Sequence, residues 1–125
     1  MAEHPAVALL ENLVHLELDP EDIPETYKLI EVAFPDDVVV GGVDVAFLDQ
    51  ELETWRSNIA FTRSIGDDWL EQAETPILIV PSVILPHSQN ALLNPLHPDA
   101  GRAEVVSVTQ PAYDRRLFHG LVSGV

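Results

Sequence analysis

The hydrophobic residues near the start of the chain recur with the period of an α-helix. Pro5 suits the first turn of a helix, because its missing N–H would have no intrahelical partner there. The apolar face behind it predicts a helix from Pro5 to about Leu18, and that face consists of Ala6, Leu9, Leu10, Leu13, Val14 and Leu16. The acidic, proline-containing segment 17–25 then predicts a solvated connection.

Later segments have the short apolar runs of β-strands. Segments 26–34 and 37–45 are rich in β-branched residues, with a Gly-Gly break in the second, and we expect them to be neighbouring strands. The uninterrupted run from Ile77 to Pro81 predicts a central strand covered on both faces. Segment 103–113 alternates in part and predicts a further strand.

The segments between these strands include a predicted helix, which decides the predicted fold class. Segment 46–63 leaves the type of element open, with a short helix at Trp55 as one option, whereas 64–74 predicts a short acidic helix carrying Trp69 and Leu70. Because helices and strands are mixed without a repeated βαβ rhythm, the predicted class is α+β, with mixed small sheets and flanking helices. The length of 125 residues predicts one domain over the whole chain.

Charge and composition restrict the partners. The net charge of −15, from 21 acidic and 6 basic residues, would repel phosphate backbones, so we expect no direct binding to nucleic acid. The same charge serves solubility, or docks a basic partner. The chain has no cysteine, which excludes a disulfide framework and suits a reducing cytosol. No apolar stretch approaches the roughly 20 residues of a membrane span, so we expect a cytoplasmic protein.

Two polar residues next to apolar segments are candidates for a functional site. Glu11 is flanked by leucines on the predicted helix, where a carboxylate is costly unless a specific group pairs with it. With His15 four residues later it could form a metal-binding or acid/base pair, and the competing interpretation is a polar seam at the rim of the helix. Ser82 follows the apolar strand, where open sheets commonly bind ligands. It lacks a Gly-x-Ser-x-Gly elbow, so we interpret it as a hydrogen-bonding serine.

The segment after Ser82 combines polar side chains with prolines. Residues 86–98 contain Asn90, Asn94 and His97 among three prolines, which restrict the backbone. The segment could therefore line a binding site, or form a structural Ω-like loop. We find no nucleotide-binding, calcium or zinc signature and predict no metal site.

Four segments of the chain match one known family in order and spacing. They are HPAVALLENLVHL, YKLIEVAFPDDV, SIGDDWL and ILIVPSVILPHSQNALLNPLHPD. Together they resemble the RES domain family, named for its Arg, Glu and Ser, over nearly the whole chain. The resemblance implies an ADP-ribosyltransferase-like fold with Glu11 and Ser82 as catalytic residues. It also implies NAD as the substrate, contacted by Ser82, Asn90, Asn94 and His97.

The resemblance further implies a biological role. Such proteins are toxins of bacterial type II toxin–antitoxin pairs that ADP-ribosylate a target protein or degrade NAD, so we expect a cognate antitoxin and a hetero-oligomer. By analogy, Glu11 would stabilise the positive charge that develops on the ribose, or orient the attacking group, with Ser82 as a polar contact.

One departure from the family keeps a second function open. Family members carry the signature Arg and a Tyr upstream of the Glu helix, whereas Glu11 stands ten residues after Met1 and none of the five arginines occupies the family position. We therefore expect an N-terminally short RES-like domain over residues 1–125. The alternative function is a non-catalytic RES-like subunit that pairs with an antitoxin-like partner.

Overall fold

The first helix begins at the predicted residue and ends early. The computed structural model describes residues 1–16 and 20–118. Helix α1 is Pro5–His15, and its first turn is capped by His4, whose Nδ1 accepts from the N–H of Ala6 at 3.0 Å. The helix ends because Leu16 has extended backbone, so the predicted end at about Leu18, itself outside the described residues, was too late. Val7 is its buried residue, whereas the predicted apolar face is only half-buried or exposed.

Two sheets form in the described part of the chain. Their strands are β1 (Leu29–Ala33), β2 (Val40–Gly42), β3 (Ile77–Pro81), β4 (Gln89–Leu93) and β5 (Glu104–Thr109). Strand β1 pairs antiparallel with β5, while β3 lies between β2, which is parallel to it, and β4, which is antiparallel. The prediction that 26–34 and 37–45 form neighbouring strands was therefore wrong. Both segments contain a strand, but a local pattern does not encode which distant segment a strand pairs with.

Two helices occupy the region between β2 and β3, and they are α2 (Val45–Glu51) and α3 (Ile59–Gln72). Each has an N-cap, because Asp44 and Asn58 accept a first-turn backbone N–H through Oδ1, at 2.8 and 3.0 Å. The Asn58 cap explains why α3 begins at Ile59 and not at the predicted residue 64. At Trp55, where a short helix was one option, the chain forms a 3-10 turn, Trp55–Ser57.

The buried core centres on one end of β3. Ile77 and Leu78 are both buried, and consecutive strand residues point to opposite faces, so the prediction of a central strand covered on both faces is confirmed there. Trp55 packs into this core with 1% of its surface exposed. Strand β5, in contrast, is exposed along its whole length.

Strand β4 corrects the expectation of a loop over residues 86–98. Its five residues pair with β3, with Asn90 opposite Val80. The polar start of the strand and the surrounding prolines conceal it in the sequence, and the pairing brings Asn90 close to the end of β3. The predicted α+β class with small mixed sheets is confirmed. None of the helices within residues 1–16 and 20–118 is long and apolar enough to cross a membrane.

Candidate active site

Ser82 closes a tight turn at the end of β3. It follows Pro81, the last residue of the strand, and is buried with 6% exposure. Its Oγ accepts the backbone N–H groups of Ile84 at 3.2 Å and Leu85 at 3.1 Å. Its own N–H donates to the carbonyl of Ser88 at 2.9 Å. The turn thus fixes the hydroxyl oxygen, and the hydroxyl proton is left to donate to another group.

That proton is donated to Glu11. Glu11 Oε1 accepts from Ser82 Oγ and from Asn90 Nδ2, each at 2.8 Å, across 71 and 79 positions of the sequence. These two hydrogen bonds supply the specific partners that a carboxylate beside leucines requires. The carboxylate is held by one side chain from the turn after β3 and one from β4, and the Glu11 side chain remains 21% exposed. The arrangement thus fixes the position of the Glu11 carboxylate and leaves part of it accessible to solvent.

The Glu11–His15 pair on α1 is much looser. His15 Nε2 lies 3.8 Å from Glu11 Oε2, and the imidazole is 77% exposed. Among the described residues, no group of three or more His, Cys, Asp or Glu side chains could hold a metal ion. The contacts of Glu11 are therefore those of an acid positioned by hydrogen bonds from Ser82 and Asn90.

The start of the chain fixes α1 beside these residues. The backbone of Ala2 bridges to Asn90 in antiparallel fashion, and the N–H of Ala91 donates to the carbonyl of Met1 at 2.7 Å. Glu3 adds two contacts to Gln89: its N–H donates to the Gln89 carbonyl at 3.4 Å, and its Oε1 accepts the Gln89 N–H at 3.0 Å. Because α1 starts directly after this pairing, Glu11 is brought over the end of β3.

A cleft of about 470 Å³ opens at Ser82. Such a volume lies within the roughly 300–1,000 Å³ typical of small-molecule sites. Glu11 does not itself line the cleft, and its contact with it runs through Ser82. His87 also lines the cleft and has φ of 65°, in the left-handed region that non-glycine residues seldom adopt. Such strained backbone is concentrated at functional sites in proteins.

Asn94 and His97 lie apart from this group. Asn94 is fully buried; its Nδ2 donates to a carbonyl of α3 at 3.2 Å, and its N–H donates to the carbonyl of Pro76 at 2.8 Å. Pro76 precedes β3 and Ser82 follows it, so the length of the strand, roughly 16 Å at 3.3 Å per residue, separates them. His97 accepts the N–H of Asp99 through Nδ1 at 3.0 Å. The structure thus brings together Glu11, Ser82 and Asn90, and a contact of Asn94 or His97 with NAD stays a prediction.

Sequence reasoning missed the charged residues of the cleft, and the cationic one is Arg56. This side chain lines the cleft together with Ser82, although 26 positions separate the two in the sequence. Its sequence context gives one signal, the neighbouring Trp55 in a segment whose element type could not be predicted. An arginine beside a buried tryptophan often stacks on the ring, which fixes the direction of the cation.

The chain is similar to known proteins over most of its length. The family model described as RES domain matches residues 1–116. The chain is 39% identical over 117 residues to Toxin Res of Pseudomonas putida, covering 94% of this chain and 77% of that protein. It is 36% identical over 115 residues to the Prs ADP-ribosylating toxin of a Sphingobium species, covering 90% and 70%. Toxin Res of Yersinia enterocolitica is 33% identical over 123 residues, covering 94% and 75%.

Proposed function

The chain belongs to the RES domain family, whose fold is ADP-ribosyltransferase-like, and on this premise we propose that it is the toxin of a bacterial type II toxin–antitoxin pair and consumes NAD. The observation that carries the proposal is the 2.8 Å hydrogen bond from Ser82 Oγ to Glu11 Oε1 at the edge of the cleft. It joins the two residues to which the family resemblance assigns the roles of the signature Glu and Ser. Relatives known as Toxin Res and as an ADP-ribosylating toxin support the toxin role.

The chemistry of NAD cleavage suits a fixed carboxylate. When the bond between the ribose C1′ and the nicotinamide nitrogen breaks, its electron pair goes to the ring, which leaves as neutral nicotinamide. The ribose then carries developing positive charge, which a preorganised negative group stabilises more than it stabilises the ground state. Glu11 takes this role, and Ser82 and Asn90 hold its Oε1 in place. The attacking nucleophile forms the new bond to C1′ and releases its proton to solvent.

Two acceptors are compatible with this mechanism. Attack by a side chain of another protein gives an ADP-ribosylated target, and attack by water gives free ADP-ribose. The name of the Sphingobium relative, an ADP-ribosylating toxin, favours transfer to a protein. We therefore propose ADP-ribosylation of a protein target as the main reaction.

Replacing Glu11 with Gln tests the role of the charge. In Glu11→Gln the amide oxygen can still accept from Ser82 and Asn90, so the shape is kept while the charge is lost. NAD consumption should fall on the order of 10²-fold or more, as for loss of a charge-stabilising group, with the thermal unfolding curve little changed. Glu71→Gln, on the exposed surface of α3, is the matched control and should keep wild-type activity. NAD loss at the wild-type rate in Glu11→Gln would reject the assignment.

Labelled NAD separates the possible reactions. With NAD labelled in the adenosine part, label that remains on protein after denaturation indicates transfer, whereas label released as free ADP-ribose indicates degradation. If the wild-type chain consumes no NAD in cell extract yet forms a stable complex with the product of a neighbouring gene, the non-catalytic binding subunit is the correct function.

A further inference from the structure

A guanidinium group faces the same cleft as Ser82. Arg56 is the only lysine or arginine that lines this cleft within residues 1–16 and 20–118. The guanidinium carbon lies over the ring of Trp55, 4.3 Å from its centroid. Trp55 is buried, and its Nε1 donates to Asp49 Oδ1 at 2.8 Å. A buried, hydrogen-bonded ring therefore supports the cation at the cleft.

Arg56 retains donors for a ligand, whereas two other arginines are engaged by carboxylates. Arg102 bonds to Asp37 at 2.6 Å and lowers its pKa through that hydrogen bond. Arg116 bonds to Asp114, also at 2.6 Å, and its hydrogen bonds lower the pKa of Asp114 to about 2. Arg56 Nη1, in contrast, lies 3.7 Å from Asp49 Oδ1, which already accepts from Trp55, and its side chain is 52% exposed.

The cleft carries charges of both signs. Glu3 and Asp44 also line it, and each uses a carboxylate oxygen for a backbone N–H, at 3.0 and 2.8 Å. A chain with net charge −15 repels anions from most directions, so an anionic ligand needs a local cation. A ligand with a cationic ring and an anionic diphosphate, as in NAD, matches this mixture of carboxylates and one guanidinium.

We propose that Arg56 binds the diphosphate of the dinucleotide in the cleft lined by Ser82. A guanidinium presents paired donors in a plane that fits phosphate oxygens bidentately. The inference rests on the proposed function, because NAD is the ligand that it places in the cleft. Arg56 acts here on binding and specificity, and the charge that assists bond breaking is that of Glu11.

Calorimetric binding of NAD and of inorganic pyrophosphate to the full chain tests the site. Arg56→Gln should weaken both roughly tenfold, the loss typical of a charge-assisted hydrogen bond. Arg56→Lys keeps the charge but lacks the planar pair of donors, so its affinities should lie between those of Arg56→Gln and wild type. The matched control Arg63→Gln, on the exposed surface of α3, should bind like wild type. Nicotinamide riboside lacks the diphosphate, so Arg56→Gln should leave its affinity unchanged.

A second variant should change the affinity for pyrophosphate in the opposite direction. Asp49→Asn removes the carboxylate 3.7 Å from Arg56 and keeps an oxygen that accepts from Trp55 Nε1. It should strengthen pyrophosphate binding roughly two- to threefold at low salt, since less of the positive charge is neutralised. A purely structural role of Arg56 predicts weakening or no change.

The outcomes separate this inference from the proposed function. NAD that binds wild type and Arg56→Gln equally would overturn the role of Arg56 and leave the function standing. Pyrophosphate binding that depends on Arg56, without any NAD consumption by the wild-type chain, would support the anion site and overturn the NAD-consuming function. Binding of neither NAD nor pyrophosphate by the wild-type chain would overturn both.

Discussion

At the scale of single residues, Ser82 joins the fold to the candidate chemistry. Its hydroxyl oxygen accepts two backbone N–H groups of the following turn while its proton is donated to Glu11. The donor direction is fixed, because both N–H groups occupy the oxygen lone pairs. The turn therefore orients the hydroxyl at the carboxylate, and a change at Ser82 should affect stability and activity together.

Ser82→Ala should destabilise the protein by about 1–3 kcal/mol, because Ile84 and Leu85 would lose the acceptor for partly buried N–H groups. The measurement is the urea midpoint at constant m-value. Ser82→Thr keeps the hydroxyl and should lose less stability than the alanine variant. Equal stability of Ser82→Ala and wild type would show that water or another group replaces the hydroxyl without cost.

The residues of the candidate site could be predicted from the sequence only in part. Glu11 and Ser82 could be singled out, one by its apolar surroundings and both by the family resemblance. Their direct contact could not be predicted, since it spans 71 positions and depends on how α1 lies against the sheet. Asn90 and Asn94 look equivalent in the sequence, yet β4 places Asn90 near the Ser82 end of β3 and Asn94 at the other end.

At the scale of elements, local sequence signals predicted whether a segment forms a helix or a strand better than they predicted which strands pair. Pro5 marks the start of α1, and the apolar run before Ser82 is the central strand β3. The extent of α3 depends on the Asn58 cap, a signal present in the sequence but concealed in a segment of ambiguous pattern. Strand β4 was missed because its stability comes from pairing with β3, and its own polar and proline-flanked sequence does not favour a strand.

Helix α3 contains a glycine, Gly66, whose replacement should stabilise the protein. Apart from the adjoining residues and the nearby backbone of the helix itself, a Cβ at Gly66 would meet no heavy atom within 4 Å, and glycine in a helix interior costs roughly 0.5–1 kcal/mol relative to alanine. Gly66→Ala should therefore raise the free energy of unfolding by about that amount, measured by urea denaturation. A loss of stability would show that the backbone at residue 66 requires glycine.

Gly41 on β2 provides the contrast. A Cβ there would lie 3.0 Å from Thr75 Oγ1 and 3.3 Å from Leu78 Cδ1, which is too close without a shift of these side chains. Gly41→Ala should thus lower the free energy of unfolding, whereas Gly66→Ala should raise it. A gain of stability in Gly41→Ala would show that the Thr75 and Leu78 side chains move aside at little cost.

At the scale of the whole molecule, charge dominates the surface. The chain carries 21 acidic and 6 basic residues, and two of its arginines are held in exposed ion pairs with aspartates. Large apolar side chains are also exposed, among them Ile59 on α3, Leu96 after β4 and Val105 on β5. Exposed apolar side chains within an acidic surface are compatible with a protein partner whose docking face is basic.

An antitoxin partner of this kind is part of the proposed function, and its binding should depend on salt. Screening shortens the range of charge interactions to about 8 Å near 0.15 M salt, so a basic partner attracted to this chain should associate more slowly as salt rises. Stopped-flow association at several salt concentrations measures this effect. Replacing the exposed Glu21 and Asp22 with Gln and Asn should weaken the salt dependence only if the partner docks near residues 20–22.

The partner itself is identified by co-purification from the native operon, followed by size exclusion with light scattering. We expect a complex that contains the product of a neighbouring gene, in which the partner covers the cleft at Ser82 or inserts a segment into it. NAD consumption should then be lower in the complex than in the free chain, because the substrate and the partner compete for the same opening. A single species at the monomer mass, free of any neighbouring gene product, would defeat the pairing and leave solubility as the role of the negative charge.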